Sequence, residues 1–163
     1  MLYKYDFYLA GPFFNPEQVA RMDQVKAMLV SQGFIVGDPR EMGPVIVNTS
    51  AAEKTPEFFS KIFWGNVDGM EESFIILACL DFKDIGTAFE LGYFFKSKKI
   101  VLTFAFDNPK TNVMLSQAVD THFAKPNELE EFLTLHKEKI KIRSVLLRSF
   151  LAEQGTQKAD TDE

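Results

Sequence analysis

Two runs, Phe74 to Leu80 (FIILACL) and Lys99 to Phe106 (KIVLTFAF), are apolar almost end to end. Neither alternates polar with apolar residues. Each therefore reads as a strand covered on both faces, the situation of a strand inside a parallel sheet. Between them, a helix is expected from the stretch that opens at Asp84 and runs to Ser97. The remaining chain repeats this alternation. YDFYLAG is an aromatic-rich strand stopped by Gly11 and Pro12, and a helix from about Pro16 to Gln32 follows. Val19, Met22, Val25 and Leu29 recur there at helical spacing, and Gly33 supplies the stop. FIVGDP reads as a short strand entering a long loop, Gly37 to Thr55. Thr55-Pro56-Glu57 opens a helix to about Glu72, with an inner stripe predicted at Phe59, Phe63, Asn66 and Met70. Further on, helices are expected from Asn127 to Lys139 and from Ile142 to Ala152.

Strands alternating with helices predict a single α/β domain, a doubly wound parallel sheet with a C-terminal helical extension. The domain is placed at residues 1–152, and residues 153–163 read as a polar, disordered tail. At 163 residues the chain suffices for one core. Its net charge of −5 argues against binding a phosphate backbone, so no nucleic-acid partner is expected. Cys79 is the sole cysteine and lies in an apolar run; it reads as a small core residue. Two histidines and one cysteine, far apart, make no metal-ligand pattern. No run approaches the ~18 apolar residues of a membrane span, and the N-terminus lacks a signal-peptide layout. A soluble, cytoplasmic protein without a membrane partner is expected.

In doubly wound sheets, ligands bind at the carboxyl ends of strands near the point where strand order reverses. That rule selects Ala10 to Phe14, Asp81 to Glu90, and Asp107 to Met114. In the second stretch, DFKDIGTAFE, Gly86 permits a close approach to the backbone. Glu90 follows on the helix, where the helix start favours the ionised form. An ionised carboxylate in an aromatic cleft is a candidate nucleophile or base. From spacing alone, Asp84 also reads as a helix cap and Glu90 as a solvent-facing residue. Phe13 and Phe14 read either as a stacking surface for a flat ring or as core residues. Asn66, in an apolar stripe, needs partners from a ligand or from the core, and Asp68 points to another face. No G-x-G-x-x-G or G-K-[ST] element is present, so neither a dinucleotide fingerprint nor a phosphate loop is indicated.

Together these stretches resemble the nucleoside 2-deoxyribosyltransferase family. The resemblance is carried by YLAGPFF, by Asn66 eight residues before Phe74, by DIGTAFELGY and by NVM, in that order, over about Phe7 to Leu133. It implies a flavodoxin-like fold and no cofactor. The implied substrates are 2′-deoxyribonucleosides and free purine or pyrimidine bases. Glu90 resembles the nucleophile, and Asp84 the acid beside the sugar. Asn112 resembles the amide at the sugar 5′-hydroxyl, and Met114 the residue packed near it and near Glu90. Tyr8, Phe13 and Phe14 match the aromatic wall, with Gly11 at the turn. The Asn66 position faces the base. Being an amide, it cannot protonate a leaving base, and Asp68 substitutes only in a different helix register. The resemblance further implies a homo-oligomer whose active site is completed by a neighbouring subunit.

The implied reaction is a double displacement. Glu90 captures the sugar as the first base departs, and a second base then attacks the glycosyl-enzyme with net retention. Two alternatives remain. One is hydrolysis of deoxynucleosides or their 5′-monophosphates, for which Lys83, Lys110 and Thr111 stand near the 5′ end. The other is a nucleotide-binding sensor without catalysis.

Overall fold

The computed structural model describes residues 3–44, 50–107 and 112–159, with side chains described as far as Ile142. Five strands form one parallel sheet: β1 (Tyr5–Ala10), β2 (Val36–Gly37), β3 (Ser73–Cys79), β4 (Ile100–Phe104) and β5 (Thr121–Phe123). Their spatial order is β2-β1-β3-β4-β5. The chain therefore builds leftward from β1 to the edge strand β2, then crosses to β3 and builds rightward. The reversal falls between β1 and β3, whose register pairs Tyr8 with Ile76 and Ala10 with Ala78. This is the flavodoxin-like arrangement, with its switch point at the β1/β3 seam.

Helix starts follow directly from local chemistry. The α1 helix (Pro16–Ser31) is capped by the Asn15 side chain, which accepts from the Gln18 N–H. The α2 helix (Pro56–Glu71) is capped by Thr55, which accepts from the Phe58 N–H. Each has proline at its first turn, where no N–H is missed. The α3 helix (Ile85–Lys96) is capped by Asp84. The short α4 (Val113–Gln117) and the long α5 (Pro126–Ala159) complete the chain.

Alternation along the strands divides the core in two. Phe7, Leu9, Ile75, Leu77 and Cys79 point to one face and pack against Met22, Val25 and Leu29 of α1 and Leu129 and Leu133 of α5. Tyr8, Ala10, Ile76 and Ala78 point to the other and pack against Val67 and Met70 of α2 and Leu91 and Phe94 of α3. Cys79 is a buried free thiol whose pKa burial pushes up to about 12, in keeping with a packing role.

Two expectations are corrected. The inner stripe of α2 is Val67 and Met70, whereas Phe59 and Phe63 are about half exposed. The period identified an apolar face, but α2 carries two, and only the C-terminal one meets the sheet. The two C-terminal helices are one: Lys139 to Ile142 holds no glycine or proline to interrupt it, and α5 runs on to Ala159. Residues 160–163 of the expected tail, and residues 45–49 of the long loop, lie outside the described residues.

Candidate active site

The β1/β3 seam opens into a cavity of about 280 Å³. Gly11, Phe13 and Phe14 arrive from the end of β1. Pro39, Arg40 and Pro44 come from the segment after β2, Ile62 and Asn66 from α2, and Asp84, Gly86 and Glu90 from the start of α3. A second, more apolar hollow of about 350 Å³ adjoins it and shares Ile62, Asn66, Gly86 and Glu90. Glu90 and Asn66 thus stand on the common border. A third hollow beyond Asp84 is lined by Lys83, Asn112 and Leu115.

Glu90 is held from below. The Tyr8 hydroxyl donates to its Oε1 at 2.7 Å, and Tyr8 itself is fully buried in the sheet. Burial pushes the Glu90 carboxyl up to about 7; the Tyr8 hydrogen bond pulls it down, and the nearby Asp84 charge adds to the rise. This corrects the expectation that the helix start keeps Glu90 firmly ionised. Desolvation outweighs the dipole here, because burial penalises the charged form directly while the dipole effect fades within the first turn.

Asp84 meets both of its readings. Its Oδ2 accepts from the Thr87 N–H and from the Thr87 hydroxyl, each at 2.7 Å, while the residue also lines the cavity. A Cβ added at Gly86 would stand 3.2 Å from that same Oδ2, so glycine keeps the carboxylate edge open. The Asn66 amide has no hydrogen-bond partner among the described residues, although it lines both hollows.

Other expected site residues fall elsewhere. Tyr8 is a hydrogen-bond partner beneath Glu90 rather than a wall. Asp68 is exposed and lines none of the three hollows, as the α2 register requires. Asp81 turns to the opposite face of the sheet, where Arg21 donates to it at 2.5 Å and the Asp107 N–H at 2.7 Å. Asn112 caps α4, accepting from the Met114 N–H. Met114 is 75 % exposed and is not among the residues lining the three hollows. Lys110 and Thr111 lie outside the described residues.

Arg40 escaped the sequence reading. Its guanidinium carbon lies 4.5 Å from the centre of the Phe13 ring. Nε and Nη2 donate to the buried Asp38 at 3.0 and 2.7 Å, and Nη2 also to Asp23 at 2.7 Å. Lys26 donates to Asp38 from the other side. Burial works against the Asp38 charge, yet these hydrogen bonds hold its carboxyl below the ordinary range. The signal for it was its place in the long loop Gly37 to Thr55, a length that suits function, while no spacing rule singles out Arg40 within it.

A small parallel α/β domain with a carboxylate at its switch point and aromatic rings above it is built to act on a compact, flat-ringed molecule. The chain belongs to the nucleoside 2-deoxyribosyltransferase family, whose model matches residues 7–138. Among solved structures it is similar to a 2-deoxyribosyltransferase from Bacillus psychrosaccharolyticus, at 27 % identity and a TM-score of 0.67, over 76 % of this chain and 89 % of the other. Two more share the fold at 17 % identity. One is a conserved protein from Enterococcus faecalis, with a TM-score of 0.61, covering 84 % of this chain and 97 % of that one. The other is a CMP N-glycosidase from Clostridium botulinum, with a TM-score of 0.52, covering 80 % and 98 %. Among curated protein sequences, none matches the chain. The chain is an enzyme of the nucleoside deoxyribosyltransferase class, and its chemistry is transfer or cleavage at the nucleoside glycosidic bond.

Proposed function

We propose that the enzyme moves 2-deoxyribose from one nucleobase to another through a covalent bond between the sugar C1′ and Glu90. One observation carries this reading: a carboxylate anchored by the Tyr8 hydroxyl at the border of two hollows, with aromatic rings and an unpartnered amide beside it. In this arrangement the base lies between Phe13, Phe14 and Asn66, the anomeric carbon above Glu90, and the 5′-hydroxyl toward Asp84 and Asn112. As the glycosidic bond breaks, positive charge develops at C1′ and the Glu90 oxygen closes on it. The second base attacks from the face the first one left, restoring the original configuration. Apolar walls hinder water from intercepting the ester.

The negative Asp84 disfavours a 5′-phosphate. Lys83, in the same hollow as Asn112 and Asp84, supports the rival reading of monophosphate hydrolysis. Incubation of 2′-deoxyinosine with a panel of purine and pyrimidine bases decides between them. New deoxynucleosides, lost in Glu90→Ala by at least about a thousandfold, are the expected result. Release of hypoxanthine alone, or faster cleavage of the 5′-monophosphate, selects the hydrolase. Binding without turnover selects the sensor.

The homo-oligomer implied by the family belongs to the same proposal. It is supported by the exposure of Met114 and by the exposed rings of Phe59, Phe63 and Phe89 around the second hollow.

A further inference from the structure

Asn66 leaves the base end of the cleft without an acid, so the electrons released when a glycosidic bond breaks need another sink. Among the described residues lining the cavity beside Phe13 and Asn66, Arg40 alone is cationic. Three features fit it for the task. Its Nε and Nη2 are fixed by Asp38 and Asp23, so the fork cannot swing away. Its Nη1 has no hydrogen-bond partner among the described residues and remains free to donate. Its guanidinium carbon lies over the Phe13 ring at 4.5 Å, so a flat base entering beside Phe13 comes close to the guanidinium. A side chain tied this firmly loses little conformational freedom when a ligand arrives.

We propose that Arg40 selects nucleobases bearing a ring carbonyl and stabilises them as departing anions, by donating from Nη1 to the carbonyl oxygen. This rests on the transferase reading above. In the step itself, a Glu90 oxygen bonds to C1′ while the C1′–N bond breaks. The electron pair stays on the base and delocalises onto its carbonyl oxygen, where the fixed cation neutralises it. The base then takes a proton from solvent. Overall charge is conserved, since the carboxylate becomes an ester as the base becomes an anion. An amino group in place of the carbonyl presents a donor to a donor and is disfavoured. Preorganised positive charge at the atom where negative charge grows lowers the barrier more than it tightens ground-state binding.

The test compares two donors that differ at the ring carbonyl and the N1 proton that accompanies it: 2′-deoxyinosine, and the 2′-deoxyriboside of unsubstituted purine. The wild type is expected to prefer 2′-deoxyinosine by about 10- to 100-fold in kcat/KM, with most of the difference in kcat. In Arg40→Gln the preference collapses toward unity, because kcat/KM for 2′-deoxyinosine falls much further than kcat/KM for the purine 2′-deoxyriboside. Arg40→Lys keeps Asp38 paired and guards against a folding defect; it too is expected to lose most of the preference, because a single ammonium cannot both hold Asp38 and reach the base. Equal losses on both donors in both variants would show a structural role and overturn the proposal. Calorimetric binding of hypoxanthine and of purine supplies a reading free of catalysis. If the wild type moves no deoxyribose, the transferase assignment fails, yet a hypoxanthine preference that Arg40→Lys abolishes still supports Arg40, and an unchanged preference sinks it.

Discussion

Glu90 titrates between two neighbours that pull it in opposite directions. The Tyr8 hydroxyl stabilises its anion, and the Asp84 charge opposes it. As the proposed nucleophile, Glu90 must be ionised, so kcat/KM is expected to rise with pH through about 7 and to level above it. Tyr8→Phe removes a donor to the anion and moves the rising limb up by about one pH unit. Activity at pH 6 then falls more than activity at pH 8. Asp84→Asn removes the like charge and moves the limb the other way, while asparagine still caps α3. Limbs that coincide in all three proteins would dissociate the titration from Glu90. At this scale the pair Asp84 and Glu90 was legible, because their spacing after a buried strand places both at the cleft. The resemblance implies an aromatic wall at Tyr8; the β1 register, which spacing alone does not reveal, brings its hydroxyl under α3. Arg40 was illegible, since its position depends on contacts with Asp23 and Asp38 that no spacing rule encodes.

The packing of α2 against the segment after β2 sets the width of the cavity. A Cβ on Gly65 would come 2.3 Å from the Met42 carbonyl oxygen, a backbone atom that cannot turn aside. Gly65→Ala therefore pushes the segment carrying Arg40 and Pro44 away from Ile62 and Asn66. A cost of about 1–2 kcal/mol in urea unfolding is expected, with KM for the donor nucleoside raised several-fold and kcat changed less. A Cβ added at Gly92 on α3 would meet nothing within 4 Å among the described residues. Gly92→Ala is expected to stabilise the protein by up to about 1 kcal/mol through helix propensity, with kinetics unchanged. The same replacement thus has opposite signs at two helical glycines. A Gly65→Ala protein as stable as the parent would refute the close approach. Elements with a single apolar face, such as α1, and strands apolar on both, such as β3 and β4, were readable from their period. The α2 helix was not, because its second apolar face points away from the sheet and periodicity cannot tell which face the fold will cover.

That second face is a property of the whole molecule. Phe63 lies with its ring centre 5.1 Å from Trp64 and 6.2 Å from Phe89, and Ile85 is 88 % exposed beside the same hollow. A contiguous aromatic patch of this kind is rarely left to water. Light scattering is expected to show an assembly of two or more chains. Phe63→Glu together with Trp64→Glu is expected to shift it toward monomer and to lower transfer activity at least about tenfold. A monomeric parent with full activity would remove the shared-site reading. The fold class itself was legible from the alternation of apolar strands and helices, since strands apolar on both faces, as β3 and β4 are, are the usual mark of a parallel sheet covered by helices on each side. Assembly was implied by resemblance alone until the exposed rings gave it a physical basis.

The carboxylate is rooted in the central strand through α3, whereas the segment presenting Arg40 hangs from the edge strand β2. In the proposed reading, bond-making and base-choosing thus belong to portions of the chain that can drift apart over generations. A lineage is free to acquire a new taste in bases by rewriting a handful of rim positions, and its inherited reactivity passes through untouched.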